Sequence, residues 1–480
     1  MNRIPANLRS HPLVVDLDNT LLKTDTLVES LITLLFRSPL QLVVTLFALF
    51  KGRSHFKQAM TRAVTLDVDT LPVRADLMAF LETAKAEGQA IYLVTAADQS
   101  IADAVAQRFG LFAEAKGSEP GQNLKSDHKR DWLKARFPDG YIYAGDSSAD
   151  LPVWKDAGGI ILAGVSASTR RSVEKLDAPV LAEFSEAGNV LRAWVKALRL
   201  HQWAKNLLVF VPLLLSGLYV DPRTIIAAAE AFVGLGLAAS GTYILNDLSD
   251  LPADRCHRSK CFRPFASGRL GVELGLLVAP VLIILGLVLA ALASPLAAAA
   301  LACYLAVTLS YSFSLKRKPL LDVVLLAVLF TLRLVIGAVA IGAETSYWLF
   351  TFSMFFFLSL SLAKRHVEVA AAEPGQPIRG RGYRADDAPL TLSLGVSSAM
   401  AAIVIICLYV IEDAFPDGRY GAPEFLMVAP AMIGIWTLRI WLLAHRGELD
   451  DDPVSFAVKD KISLGLGAIL VAMFAAASFL

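Results

Sequence analysis

The longest uncharged stretch of the chain decides its environment. Residues 274–315 contain no Asp, Glu, Lys or Arg, and Ser294-Pro295 divides them into two apolar segments. Each segment is long enough for a helix that crosses the roughly 30 Å of hydrocarbon in a bilayer. The sequence therefore predicts a membrane protein, and the mean hydropathy of +0.54 agrees with that prediction.

Seven further apolar segments are typical of membrane spans, which predicts nine spans in all. They lie at about 206–220, 224–246, 320–342, 346–364, 388–411, 425–445 and 462–480. The first is short and contains Pro212. The loops at 247–273, 316–319, 365–387 and 446–461 carry most of the Lys and Arg between the spans. By the positive-inside rule these loops and the N-terminal part lie on the cytoplasmic side of the inner membrane.

Composition excludes two other classes of partner and site. The formal net charge of +1 provides no global field that would attract nucleic acid. Four scattered cysteines are too few for a disulfide framework, and with no second pair beside Cys256 and Cys261 they do not form a zinc motif.

The N-terminal part has a different hydropathy pattern, in which short apolar runs alternate with stretches typical of helices. LVVDLD (13–18), AIYLVTAA (90–97), YIYAGD (141–146) and IILAG (160–164) have the pattern of buried parallel strands. This order predicts an α/β, Rossmann-like domain over residues 10–185. An insertion at about 26–85 contains two apolar runs too short to span a bilayer. It is expected to be a helical cap over the site, a hairpin on the bilayer surface, or both.

Chemistry-bearing residues follow these strands where open α/β sheets bind their ligands. Asp16 and Asp18 follow the first strand, Thr95 ends the second, and Asp146 and Asp150 follow the third. Such carboxylates suit Mg²⁺ and a carboxylate nucleophile, while Thr95 can bind a phosphoryl group. Lys129, or alternatively Lys125, can offset the negative charge.

The N-terminal part resembles the haloacid dehalogenase-like (HAD) hydrolase superfamily. It matches DxDxT at 16–20, the Thr and Lys motifs and GDxxxD at 145–150. The resemblance implies that Asp16 is the nucleophile, Asp18 the general acid and base, and Asp16, Asp146 and Asp150 the Mg²⁺ ligands. An inactive scaffold of the same fold is the alternative, but such copies usually lack one of the first two aspartates.

A second cluster of polar residues leaves the second predicted span. Asn246, Asp250 and Asp254 are four residues apart, so on a helix they share one face and can bind Mg²⁺ together. Asp247 is adjacent, and the cations Arg255, Lys260 and Arg263 follow. Acidic metal ligands followed by fixed cations suit a diphosphate.

The fifth predicted span carries two further charged residues. Asp322 begins it, and Arg333 lies eleven residues later on nearly the same helix face, about 16 Å away. An arginine at that depth is expected to face a polar cavity or a polar partner rather than lipid.

Residues 198–480 resemble the UbiA superfamily of intramembrane prenyltransferases, because NDxxDxxxD at 246–254 is specific to it. Many members carry a second DxxxD motif, but position 326 is Leu here. With the HQWAKN and DRCHRSKCFRP segments, this variant looks like the polyprenyl-phosphate phosphoribosyltransferase branch. The resemblance implies Mg²⁺, phosphoribosyl diphosphate and a polyprenyl phosphate or diphosphate lipid as ligands, and adds Lys205 and Lys364 as substrate-binding candidates. Lys364 and its neighbours are as readily explained as topological charges.

These observations predict an α/β domain with a helical cap, a linker at 186–197 and an all-α polytopic membrane domain. The expected function is phosphoribosyl transfer to a polyprenyl phosphate, followed by removal of the 5-phosphate by the HAD-like domain. An aromatic-acceptor prenyltransferase with an unrelated phosphatase is the alternative. A transporter with a regulatory domain fits less well, because the main charged cluster is predicted at the membrane edge rather than at the midplane.

Overall fold

A computed structural model of the chain describes residues 4–479 except 120–121, 186–187, 345, 374–377, 379–380, 417, 419 and 450–452. The chain divides into two compact units. The first joins Met1–Leu198 with Tyr243–Ala279, and the second joins Arg199–Thr242 with Pro280–Leu480. Residues 186–187 of the predicted linker, 186–197, lie outside the described residues. The acidic segment at 246–254 belongs to the first unit by its contacts.

A six-stranded parallel sheet forms the centre of the first unit. Its strands are β1 (Leu13–Val15), β2 (Ile91–Asp98), β3 (Glu114–Ser118), β4 (Ile142–Gly145), β5 (Gly159–Ala163) and β6 (Val180–Phe184). The strand order is β3-β2-β1-β4-β5-β6. The order reverses between β1 and β4, and open α/β sheets bind ligands at the carboxyl ends of strands at such a point. The four predicted strands are confirmed, and β3 and β6 are additional strands.

Nine α-helices accompany the sheet in the described part of residues 4–198. They are α1 (Thr26–Arg37), α2 (Pro39–Leu46), α3 (Arg53–Ala63), α4 (Ala75–Ala86), α5 (Gln99–Phe109), α6 (Asp127–Arg136), α7 (Leu151–Lys155), α8 (Ala167–Val173) and α9 (Val190–Ala197). Helices α1–α3 share a small core of Leu34, Leu42, Phe56 and Met60. Leu77 and Leu81 of α4 pack instead into the core beneath β1 and β2. The cap therefore consists of α1–α3, a shorter segment than the one predicted.

The helices of the remaining chain are mostly long and apolar. They are α10 (Val211–Leu215), α11 (Pro222–Ser249), α12 (Leu251–Arg255), α13 (Val272–Ala293), α14 (Pro295–Phe313), α15 (Leu321–Ile341), α16 (Tyr347–Ala370), α17 (Ala388–Tyr409), α18 (Val428–His445), α19 (Pro453–Ala457) and α20 (Lys461–Phe479). Among the described residues, eight helical segments are long and apolar enough to cross a membrane. They confirm a multi-pass membrane protein.

The segment predicted as the first span is shorter than the other eight. A 3₁₀ helix at Leu200–Phe210 is followed by α10, and the apolar helix ends at Leu215. Gly217, at φ +70°, adopts a left-handed conformation that stops it. Residues 216–220 thus lie beyond the helix that was predicted to contain them.

Candidate active sites

The N-terminal site begins where β1 ends. Asp16 accepts a hydrogen bond at 2.9 Å from the backbone N–H of Leu17, which fixes its carboxylate above the sheet edge. Lys129 of α6 is buried and places its Nζ 2.9 Å from Asp16 Oδ1. The same Nζ donates to the Tyr143 hydroxyl at 2.8 Å. Of the two lysines suggested by the sequence, Lys129 is therefore the one paired with Asp16.

Asp150 holds the loop that follows β4. Its Oδ1 accepts a hydrogen bond from the Tyr143 hydroxyl at 2.9 Å, and its Oδ2 accepts bonds at 3.2 Å from the backbone N–H groups of Asp146 and Ser147. A Cβ at Gly145 would lie 2.8 Å from Asp150 Oδ2, so this position requires glycine. Both Asp150 oxygens are occupied by donors, and the residue orients Asp146.

Three carboxylates converge at this edge of the sheet. Asp16, Asp146 and Asp150 each offer one oxygen within 4.8 Å of the others, and no other such group of His, Cys, Asp or Glu occurs among the described residues. Oxygen ligands at this spacing fit a hard cation such as Mg²⁺. Three carboxylates at short range oppose one another's ionisation, and a bound cation would offset that repulsion.

Burial and neighbouring charges shift the pKa values of several groups at the site. Burial raises the pKa of Asp146 to about 8, with a contribution from neighbouring Asp150 and Asp16. Burial and nearby Asp25 raise the pKa of Asp18 to about 7, against the N–H of Thr26, which donates to Asp18 Oδ1 at 2.9 Å. Burial alone would lower the pKa of Lys129, but Asp16 and Asp150 raise it above its ordinary value.

A cavity of about 410 Å³ opens onto these groups and is closed on one side by the cap. Thr95 lines it, and its Oγ1 accepts a hydrogen bond at 3.0 Å from the N–H of Ala97. Lys57 of α3 also lines the cavity and donates to the carbonyl of Ala96 at 2.8 Å. Lys57 was not predicted, because nothing in its sequence context marks a cap lysine that reaches a distant strand end.

The acidic segment, residues 246–255, is organised as two pairs. Asn246 Nδ2 donates to Asp250 Oδ2 at 3.3 Å. Asp247 and Asp254 are buried and share Arg263, whose Nη1 lies 3.1 Å from Asp247 and 2.6 Å from Asp254. The helix ends at Ser249 and restarts at Leu251, so the three predicted ligands do not lie on one continuous helix. Asn246 and Asp250 lie together, whereas Asp254 is neutralised by a guanidinium.

Two of the predicted cations have different environments. Arg255 forms a buried bidentate pair with Glu29 of α1, at 3.1 Å to Oε2 and 2.6 Å to Oε1. Glu29 also accepts a hydrogen bond from the Thr24 hydroxyl at 2.6 Å. Lys260 begins a short 3₁₀ helix, Lys260–Phe262, and is exposed. Arg255 thus joins the acidic segment to the cap.

Asp322 of the second unit lies in a buried ionic cluster. Its Oδ1 accepts a hydrogen bond from the Tyr383 hydroxyl at 2.7 Å, and Arg365 Nη2 lies 2.9 Å from its Oδ2. The contact with Arg365 is ionic rather than a well-directed hydrogen bond, since neither atom satisfies hydrogen-bond geometry there. Arg381 is 3.7 Å from the same oxygen. Asp322 thus joins α15, α16 and the loop before α17.

Arg333 is buried and fully engaged with polar partners in the second unit. It donates to Asn206 Oδ1 at 3.2 Å, to the Leu329 carbonyl at 2.7 Å and to the Tyr304 hydroxyl at 3.0 Å. This agrees with the expectation of a polar partner. Lys205 lies 6.0 Å from the centre of the Phe330 ring, over which the Arg333 guanidinium also packs. Lys364 is half-buried on α16.

The family of the chain follows from a comparison with known families. The model of the UbiA prenyltransferase family matches residues 207–465, more than half of the chain. The chain belongs to the UbiA prenyltransferase family. Its members are transferases, and the match includes both the acidic segment and Asp322.

Three relatives of this UbiA protein differ in how much of it they match. An uncharacterized protein of Sinorhizobium fredii, y4nM, is 44% identical over 97% of this chain and 91% of its own length. Nodulation protein NoeC of Azorhizobium caulinodans is 35% identical over 56% of this chain and 88% of its own length. Decaprenyl-phosphate phosphoribosyltransferase of Mycobacterium tuberculosis is 31% identical over 60% of this chain and 95% of its own length. The first relative therefore also shares the N-terminal region of this chain.

Proposed function

We propose that this UbiA protein transfers a 5-phosphoribosyl group from phosphoribosyl diphosphate to a polyprenyl phosphate. The observation that carries the proposal is the match to the mycobacterial decaprenyl-phosphate phosphoribosyltransferase, which extends over 95% of that enzyme. In the reaction a lipid phosphate oxygen forms the new bond to ribose C1, and the bond from C1 to the diphosphate breaks. The diphosphate leaves with its electron pair.

The acidic segment is suited to the charge on the donor. Asn246 and Asp250 would hold Mg²⁺, which when bound neutralises charge on the departing diphosphate. Arg263 positions Asp247 and Asp254 beside them through its two ion pairs. Lys260 is exposed five residues after the acidic segment and supplies a further positive charge for a phosphate.

The N-terminal site supports a second activity, a HAD-type phosphatase. Asp16 forms a bond to phosphorus as the bond from phosphorus to the alcohol oxygen breaks, and Asp18 donates a proton to that oxygen. Asp18 then takes a proton from the water that hydrolyses the phosphoaspartate, which releases inorganic phosphate and restores Asp16. A pKa of about 7 keeps part of Asp18 protonated near neutral pH, as a general acid requires. Asp16 and Asp146 would hold Mg²⁺, which when bound offsets the charge of the phosphate. Lys129 keeps the Asp16 carboxylate oriented.

The natural substrate of this phosphatase is the 5-phosphate of the transferase product. Both activities reside in one chain, which raises the effective concentration of a lipid intermediate for the second step. The two steps together yield a polyprenyl phosphoribose without its 5-phosphate.

The test is incubation of purified protein with labelled phosphoribosyl diphosphate, Mg²⁺ and a polyprenyl phosphate. Wild type is expected to yield labelled, dephosphorylated lipid, and Asp16→Asn is expected to accumulate lipid-linked ribose 5-phosphate. Absence of labelled lipid from both proteins contradicts the transferase assignment. Identical phosphorylation states in both contradict the assignment of the phosphatase substrate.

A further inference from the structure

The cap of the first unit presents an apolar surface to its surroundings. We call this the cap apolar surface and define it by side chains of α2 and the following 3₁₀ turn: Leu40, Val43, Val44, Phe47, Leu49 and Phe50. Leu40 is 84% exposed and Phe50 is 88% exposed. From Ser38 to Phe50 the chain carries no charged residue. Contiguous exposed apolar surface of this kind marks an interaction site rather than an ordinary solvated face.

The core of the cap does not need these side chains. Within α2, Leu42 and Thr45 are the buried residues, and Leu42 packs with Leu34, Phe56 and Met60. The opposite side of α2 is therefore apolar without an intramolecular reason among the described residues. An external apolar phase accounts for it.

The position of the cap within the first unit indicates that this apolar phase is the lipid bilayer. The end of α1, at Phe36 and Arg37, lines one cleft with Leu248, Ser249 and Leu251. Leu248 and Ser249 end α11, which is long and apolar enough to cross a membrane, and Leu251 begins α12 directly after it. The Glu29–Arg255 pair fastens α1 to the same segment. Because Pro39 begins α2 directly after α1, the cap apolar surface starts close to the bilayer boundary.

We propose that the cap apolar surface lies in the interfacial layer of the bilayer, with its apolar side chains among the lipid acyl chains. A short apolar helix held next to the end of a membrane span is already at the bilayer surface, so no separate anchor is needed to bring it into contact with lipid. The same cap lines the N-terminal cavity with Thr26, Ser30 and Lys57. Resting on the proposed phosphatase function, the inference places the entrance of this cavity at the bilayer surface, where a phosphomonoester carried by a membrane lipid would reach it.

Fluorescence quenching by brominated lipid tests the membrane contact directly. Cys256, Cys261, Cys303 and Cys407 are replaced by serine, Phe47→Cys is labelled with bimane, and the full chain is placed in phosphatidylcholine nanodiscs with or without brominated acyl chains. The control is Asp139→Cys, at an exposed loop position of the same unit. Bimane at position 47 is expected to lose at least half of its fluorescence in brominated lipid, and bimane at position 139 is expected to change little.

Equal fluorescence of the position-47 label in both lipids would overturn the proposal. Disulfide cross-linking between two copies of the unlabelled Phe47→Cys variant, without quenching of the labelled one, would also overturn it, because the occupant would then be a second chain. The readout does not depend on catalysis. Quenching in a protein without phosphatase activity would reject the phosphatase function and the lipid-substrate assignment while the membrane contact stands. Activity on the soluble substrate p-nitrophenyl phosphate without quenching would reject the membrane contact alone.

Discussion

Lys129 is buried among groups that interact directly with its positive charge. Its ammonium lies 2.9 Å from Asp16 and 4.0 Å from Asp150, and it donates to Tyr143. Lys125 lines the same cavity. The two lysines are therefore matched in chemistry, and Lys129 is the one in ion-pair range of Asp16.

We expect Lys129→Gln to lower phosphatase activity by about 10²- to 10³-fold, the usual cost of losing one preorganised electrostatic contact. Lys125→Gln, the matched control, is expected to cost less than tenfold. Hydrolysis of p-nitrophenyl phosphate by the two purified variants measures both values. Equal losses would mean that the ion pair with Asp16 is not what orients the nucleophile.

Lys57 lines the N-terminal cavity from the cap and, under the proposed function, would bind the substrate phosphate. Lys57 would attract the substrate phosphate by its charge and take no part in bond making or proton transfer. Lys57→Gln is therefore expected to raise KM for a phosphomonoester about tenfold while changing kcat less. Arg62→Gln, on the same helix but outside the N-terminal cavity, serves as the control. Steady-state kinetics separate the two parameters, and an unchanged KM for Lys57→Gln would place the substrate phosphate away from the cap.

Substitutions in the acidic segment test the proposed transferase activity. The Asp250 carboxylate is bonded to Asn246, whereas Asp254 also forms a tight ion pair with Arg263. Both Asp250→Ala and Asp254→Ala are expected to abolish lipid product and to retain hydrolysis of p-nitrophenyl phosphate. Asp254→Ala should in addition lower thermal stability, since it leaves Arg263 with one partner fewer. Retained lipid product in both variants would contradict the role of the acidic segment.

Much of the N-terminal site could be predicted because its residues follow strand ends. A buried apolar run fixes where a parallel strand stops, and the next polar side chain, such as Asp16 or Asp146, then faces the ligand edge. Partners supplied by tertiary structure could not be predicted this way. Glu29 and Arg255 are 226 positions apart, and no local pattern links a cap helix to a membrane-edge loop.

At the scale of elements, the missed strands are the two edges of the sheet. β3 reads EAKGS and β6 reads VLAEF, so neither forms the long apolar run of a strand covered on both faces. Helix α4 lies almost entirely within the insertion at about 26–85 that the sequence predicts as a cap. Its place in the sheet core depends on contacts of Leu77 and Leu81 that are made only after folding.

The cluster around Asp322 predicts a stability effect that connects three elements. Asp322→Asn removes one of the two carboxylates that pair with buried Arg365, the other being Glu368, and breaking a buried ion pair costs about 3 to 5 kcal/mol. The double variant Asp322→Asn/Arg365→Met is expected to recover part of that loss. Thermal unfolding in detergent of the wild type, both single variants and the double variant gives the coupling between the two residues. Additive losses would indicate that Asp322 does not stabilise the bundle through Arg365.

At the scale of the whole molecule, membrane topology depends on the short apolar segment Leu200–Leu215. Residues of the N-terminal sheet unit contact the segment after α11, both through Glu29–Arg255 and where Gly268 lies against Lys23. We propose that both regions lie on one side of the membrane. With α11 as a single crossing, Asp221 before it would lie on the other side, and the chain would cross between Leu198 and Asp221.

The length of the segment is sufficient for that crossing. Its 11-residue 3₁₀ portion rises about 2.0 Å per residue and α10 adds five residues at about 1.5 Å. Together they extend about 30 Å, close to the thickness of the hydrocarbon core. We propose that Leu200–Leu215 is the ninth span and that the N-terminal unit is cytoplasmic.

Cysteine accessibility in oriented vesicles measures this topology. In a background lacking native cysteines, Ser168→Cys and restored Cys256 are expected to react with a membrane-impermeant maleimide from the cytoplasmic side. Asp221→Cys is expected to react from the opposite side. Labelling of all three positions from one side would show that Leu200–Leu215 does not cross.

The Glu29–Arg255 pair limits how the protein can be divided for biochemical work. A fragment ending at Leu198 would retain all six strands and the cap, but it would lose residues 243–279 of the same compact unit, including the guanidinium that neutralises Glu29. The lost segment also lines the cleft beside Glu29, so its removal exposes that face of α1 to solvent. Division of the chain at Leu198 therefore splits one compact unit, and co-expression of the two halves from separate genes would preserve the pair only if they reassemble.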